Sequence, residues 1–505
     1  MDKIDNRKQA TPEQIESLIT NLKLTLESSY HELYVDMMLM EALNKKMLDT
    51  IPNLDKEFID KVLRVHSNVC YANMCLCVQM RASLKASLLV EKQFNIRRSV
   101  VTAHEIYKNL YGFGGITPWL EIEPLLQQKY LVKCEEIQTA ADDYRLRYTQ
   151  VSDLDTRNVA KHFSNNPEEF FDRMSLVDER SVSDRIVTLM KFLQPIHSLL
   201  VEELRQNLGI YYLILIDKPM PKQRFEAVGL ITDDKLDAYK HGLTLNYEIV
   251  NGLFDKIGAV RAFASQNKLD ITSIPEWKFL VDNNLVVHIL YIFLDLASTY
   301  LAFARSDIFA EYQQNLAYLF LSAHEGFKKL YGFDENKREN TFWNRAVIAE
   351  LQKLRDNTLL EEATVIEKRL LKLSQSEYLK DDEKAVIFSD IKTDKNTGRE
   401  NAILALDCFI KPLKQEIIYD LSEFLSVMID IVPLANKMLS LESAECNRRT
   451  HETFEKFRQM FDIIDASVAE NVQDVDQLAG FNETTKKFRE LIDDMESKLM
   501  GDKRS

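Results

Sequence analysis

The run Arg157-Asn158-Val-Ala-Lys161-His162, inside "LDTRNVAKHFSNNPEEFF" at residues 154–171, gathers the residue types that acid–base work on an anionic substrate requires. A histidine titrates near neutrality and can give or take a proton there. An arginine fork holds phosphate oxygens and stabilises negative charge that grows in a transition state. The "SNNP" that follows ends the helix, with Asn166 as cap and Pro167 opening the next one. His162 then lies in a last turn, where the helix dipole favours imidazolium. On a straight helix Asn158 and His162 share a face, whereas Arg157 and His162 are about 140° apart, so a site using all three is composite. The same letters also describe an ordinary solvated helix end. The elements around them bear on the choice.

Those elements are helices. Apolar residues recur at helical spacing along almost the whole chain, as in "IESLITNLKLTLESSYHELYVDMMLMEALNKKML". With Gly 13 and Pro 11 in 505 residues, little material is left for hairpins and bulges, and an all-α fold is expected. The chain is longer than one hydrophobic core normally serves. The N-terminal "MDKIDNRKQATPEQ" has no apolar signal core, so a cytoplasmic protein is expected. "LVVHILYIFLDLASTYLAFA" (285–304) is long enough to span a membrane but contains His288 and Asp295, and a buried core helix is expected instead.

Cys70, Cys75, Cys77, Cys134, Cys408 and Cys446 form no CxxC pair, and their spacing gives no metal motif; buried reduced thiols are expected, with no metal and no cofactor. No phosphate-binding glycine loop, GxSxG elbow or HExxH occurs. A formal charge of −15 opposes any general coating of nucleic acid, so a phosphate site would have to be a local basic pocket.

Much of the chain reads twice. "AHEIYKNLYGF" and "AHEGFKKLYGF" place His104 and His324 220 residues apart, and Trp119 and Trp343 224 apart. Asn95 matches Asn315, and Pro195 in "MKFLQPI" matches Pro412 in "DCFIKPL". Landmarks in one order at nearly constant offset predict two homologous helical-bundle domains, 1–214 and 215–435, followed by a C-terminal helical hairpin or arm, 436–505. Pro219 and Pro221 mark the junction. Gly112 and Gly332 are expected in left-handed caps after their helices, and His104 and His324, within apolar runs, are expected to be structural. In the second copy Asp382, Glu383 and Ile387 stand where the first has Arg157, Asn158 and His162, while Phe163-Ser164 is kept as Phe388-Ser389. Either one copy has lost a working site or an exposed helix end has drifted.

"RNVAKHFSNNPEEFF" resembles the signature of the HEPN superfamily, in particular its abortive-infection members, over roughly residues 150–200. Arg97 or Arg98 with His104 also fits the bare spacing, but Ser99 stands where the asparagine is wanted. The resemblance implies a metal-independent endoribonuclease of toxin or phage-defence type, with a degenerate second copy. Arg157 would bind the scissile phosphate, His162 would act as general acid or base, and Asn158 would orient one of them. Lys161, Arg145 and Arg147 would line the RNA. Family members set two motifs face to face across a two-fold, so one motif per chain implies a homodimer, and a regulatory or antitoxin partner is expected. The second reading is a non-catalytic helical scaffold or partner-binding protein built from a duplicated HEPN-like domain. Neither reading calls for a membrane.

Overall fold

A computed structural model describes residues 11–112, 117–149, 179–219, 233–266, 285–354, 357–380, 415–471 and 475–500. Among these the fold is all-α, without a strand. In chain order the α-helices are α1 (Pro12–Asn44), α2 (Lys56–Lys85), α3 (Leu89–Leu110), α4 (Pro118–Tyr148), α5 (Glu179–Leu208), α6 (Ile210–Ile216), α7 (Asp233–Gln266), α8 (Leu285–Ala304), α9 (Phe309–Leu330), α10 (Ala349–Leu354), α11 (Asn357–Ser374), α12 (Glu377–Lys380), α13 (Gln415–Asn471) and α14 (Val475–Met500). A π-helical turn at Trp343–Ile348 leads into α10.

Local chemistry sets the starts and stops. α1 begins with a reciprocal cap in which Gln14 N–H donates to Thr11 Oγ1 and Thr11 N–H to Gln14 Oε1, and Pro12 occupies the first turn. Asp55 caps α2 by accepting from Phe58 N–H at 3.0 Å. α3 and α9 end alike: Gly112 and Gly332 have φ of 78° and 77°, and their N–H groups reach back to the carbonyls of Tyr107 and Phe327. Both glycines thus take the left-handed position that their place after the helix predicts. Phe333 then folds back against Phe327, with ring centres 5.0 Å apart.

Two apolar cores result. α1 to α5 enclose one, with α2 through its middle; Trp119, Tyr107, Phe192 and the α2 residues Val69, Met74 and Val78 are fully buried there. The other centres on α8, which packs on α9, α7, α13 and α3 and buries Trp343, Phe327 and Phe424. The 287–304 stretch is one of two described helical segments long and apolar enough to cross a membrane, and 94% of it is buried inside the protein. Its apolar surface is covered by neighbouring helices, as expected of a core helix. The second such segment, Ile418–Leu441, is half-buried. α13 runs unbroken past it to Asn471, and α14 returns along its far end through Arg458–Asp493, Arg489–Asp465 and the Phe461–Phe488 stack.

The two cores meet where α2 and α3 face α8 and α9. Several contacts there come in pairs related by the same 220-residue step. Lys85 Nζ reaches Glu311 Oε2 at 3.1 Å, and Arg305 reaches Glu91. Arg98 donates to Asp295 Oδ1 at 3.0 Å, and at the offset positions Tyr318 lies near Cys75. Val90 belongs to the second core and Ala310 to the first. Within each half, Asn95 and Asn315 donate to the Ala82 and Ala302 carbonyls, both at 3.2 Å.

Candidate functional site

Arg157, Asn158, Lys161 and His162 lie outside the described residues. Arg145 and Arg147 are in the last turn of α4, where positive charge complements the helix dipole. Arg147 Nε donates to Asp143 Oδ1 at 2.9 Å, and Asp184 of α5 lies 3.8 Å from its Nη1. Arg145 is exposed. The competing arginines near His104 are structural: Arg98 is held by Asp295, and Arg97 donates to Tyr291 and packs on its ring. His324 is buried, with Nδ1 on the Leu379 carbonyl at 2.8 Å, as a structural histidine should be. His104 is also buried.

The convergence of reactive side chains lies elsewhere in the first half. α2 carries His66 and Cys70 one helical turn apart on one face, both fully buried. α1 brings Glu32 against them and α5 brings His197. Glu32 Oε2 is 2.5 Å from His197 Nε2, 3.6 Å from Cys70 Sγ and 3.7 Å from His66 Nε2. Cys70 Sγ is 3.7 Å from His66 Nε2, and the two imidazoles stack with centres 5.1 Å apart. One donor atom from each of the four residues falls within 4.8 Å of all the others.

Behind the cluster, Asp36 Oδ2 hydrogen-bonds His66 Nδ1 at 2.7 Å and accepts a second hydrogen bond from Ser67 Oγ at 3.0 Å. That contact turns His66 Nε2 toward Glu32 and Cys70. Glu32 and His197 are partly exposed, so the cluster opens to solvent on their side.

The electrostatics follow from burial and from these contacts. Burial works against the charge on Glu32, but the hydrogen bond and charge of His197, and then the charge of His66, hold its carboxyl below the usual range. Burial outweighs His66 and Ser67 at Asp36 and raises it. His66 is raised as well, because Asp36 and Glu32 together overcome its own desolvation. The Cys70 thiol is pushed well up, by burial first and then by the charges of Asp36 and Glu32. Cys75 and Cys77, deeper in the core, are pushed up to about 12 by burial.

Cysteine spacing alone does not disclose this cluster, and the expectation of plain buried thiols misses it. The readable signal is His66 four residues before Cys70 on a helix face. Glu32 and His197 come from other helices, and only the packing of α1 and α5 on α2 brings them in.

Compared with protein-family models, with curated proteins and with solved structures, the chain gives no match.

Proposed function

We propose that the chain is a non-catalytic helical scaffold or partner-binding protein, built from two related halves that pair within one chain. The observation that carries this reading is the reciprocal contact set between α2–α3 and α8–α9, with Lys85–Glu311 answered by Arg305–Glu91. A nuclease of the kind the "RNVAKHF" motif implies would need two intact motifs facing one another. When a half pairs with its own chain, its counterpart offers Asp382, Glu383 and Ile387 in place of Arg157, Asn158 and His162. Such a pairing leaves the motif without its mate. The formal charge of −15 adds to this, because affinity for RNA rests largely on neutralising phosphates. The free, buried thiols Cys70, Cys75, Cys77 and Cys134 suit the reducing cytoplasm in which the reading places the protein.

A second reading, a metal-independent endoribonuclease of toxin or defence type, is favoured by one observation: the Arg-Asn-x3-His motif stands whole in the first half. In it Arg157, Asn158 and His162 act at a homodimer interface, with Arg145, Arg147 and Lys161 toward the RNA and an antitoxin-like partner restraining them.

Incubation of total RNA with the purified protein in EDTA, alongside Arg157→Ala and His162→Ala, separates the two. The scaffold reading expects no cleavage by any of the three. Cleavage by the wild type, lost in either variant, gives the nuclease.

A further inference from the structure

We propose that Glu32, His66, Cys70 and His197 bind one divalent ion of the zinc class, clamping α1, α2 and α5 of the first half together. The donor set comprises two imidazole nitrogens, one thiolate sulfur and one carboxylate oxygen, which a borderline-soft ion prefers and a hard ion such as magnesium does not.

Geometry supports the assignment. With bond lengths of about 2.0–2.3 Å, a tetrahedral ion sets its ligand atoms roughly 3.3–3.8 Å apart. The edges Glu32–Cys70, Glu32–His66 and His66–Cys70 measure 3.6, 3.7 and 3.7 Å, so three corners of that tetrahedron are in place. Of the three edges to the fourth corner, Glu32–His197 is 2.5 Å because these two share a hydrogen bond. An ion would take the place of that hydrogen bond, the His197 Nε2 proton passing to Nδ1 or to solvent, and part the pair by about 1 Å, a movement that the partly exposed His197 side chain on α5 can make.

The second independent feature is Asp36. A metal-bound histidine usually donates its other ring N–H to a carboxylate, which fixes its tautomer and aims the free nitrogen. Asp36 makes that contact with His66 Nδ1 and is itself steadied by Ser67. All four corners are protein atoms, so the site is closed and its role is structural rather than catalytic. On binding, the Cys70 thiol gives its proton to solvent, and the thiolate and the Glu32 carboxylate together balance the two charges of the ion.

At matching positions of the second half, 220 residues on from His66 and Cys70, the sequence has Val286 and Leu290. One ion per 58.7 kDa chain is therefore expected, not two.

The test uses the full chain, stripped with a chelator, dialysed and titrated with Co2+. The expected result is one equivalent bound, with the intense visible bands of a tetrahedral centre and a near-ultraviolet thiolate-to-cobalt band; Zn2+ should then bleach both. Cys70→Ser should lose the thiolate band, and His197→Gln, at the exposed edge where folding is least at risk, should bind at least tenfold more weakly. A wild-type protein with no tetrahedral spectrum overturns the proposal, and so does a spectrum unchanged by Cys70→Ser. The result is independent of the scaffold reading, whose RNA assay is run in chelator.

Discussion

α2 and α8 run through the centres of the two halves, and they use their interiors differently. α2 turns His66 and Cys70 toward Glu32 and His197, whereas α8 has Val286 and Leu290 at the matching places, with Leu290 fully buried in an apolar core. A helix in this setting can therefore be closed with apolar side chains alone. Burying His66 and Asp36, with Glu32 and His197 partly covered beside them, carries a desolvation cost that hydrophobic packing avoids, and such groups are often no more stabilising than apolar replacements. The polar cluster facing α2 is thus set apart from the apolar interior around α8. A similar contrast appears where the halves meet: Arg97 and Arg98 on one side face Asp295 and Tyr291, while Ala317 and Tyr318 occupy the matching positions on the other. Some contacts across this face recur at the 220-residue offset, but these charges do not.

The largest effect should come from the charged knot that joins the halves. Arg81 is fully buried, donating to Glu311, Asp307 and the Ile19 carbonyl. Arg81→Ala leaves Glu311 buried with Lys85 as its remaining positive partner, and should cost roughly 3 kcal/mol by denaturant unfolding, the lower end for a broken buried pair. A loss within a few tenths of a kcal/mol would show that the halves do not lean on this contact.

Asp295→Asn should come next, at about 2 kcal/mol near neutrality, the range for hydrogen bonds to charged groups. Burial opposes the Asp295 charge, but Arg98 and then Arg97 outweigh it and hold the carboxyl below the usual range. A depressed carboxyl contributes stability that is fully present above its unfolded value, about pH 4, and is lost as pH falls through the lower folded value. The gap between wild type and Asp295→Asn should therefore be flat above about pH 4 and close below it. A gap that widens in acid would reverse the assignment.

Smaller still are the two helix ends. Gly112→Ala and Gly332→Ala each force a side chain into φ near +78°, at about 1–2 kcal/mol. The second should cost slightly more, because an added Cβ would meet Thr341 Cγ2 at 3.3 Å. Equal and negligible losses in thermal melts would show that these caps are not strained.

Much of the frame was legible in the sequence, because helical periodicity and the scarcity of Gly and Pro are local signals. The left-handed Gly112 and Gly332 could be foreseen from the ends of two similar helices. The burial of 287–304 could be foreseen from His288 and Asp295 within it, and Asp295 proves to be the partner of Arg98. The cluster at His66 was not legible in the same way. His66 and Cys70 share one helix, but Glu32 and His197 lie 34 and 131 residues from His66, and only tertiary packing brings them within reach. Nor could the two copies of "AHE" reveal that the arginines before the first would reach across into the second half.

Pairing of the halves within one chain is the central claim, and hydrogen exchange tests it most directly. Backbone exchange along the full chain would be compared between wild type and Arg81→Ala. The account predicts faster exchange on both sides of the contact, at the end of α2 and across 305–311 at the start of α9, because one knot holds both. Faster exchange confined to α1–α3, with 305–311 unchanged, would contradict it.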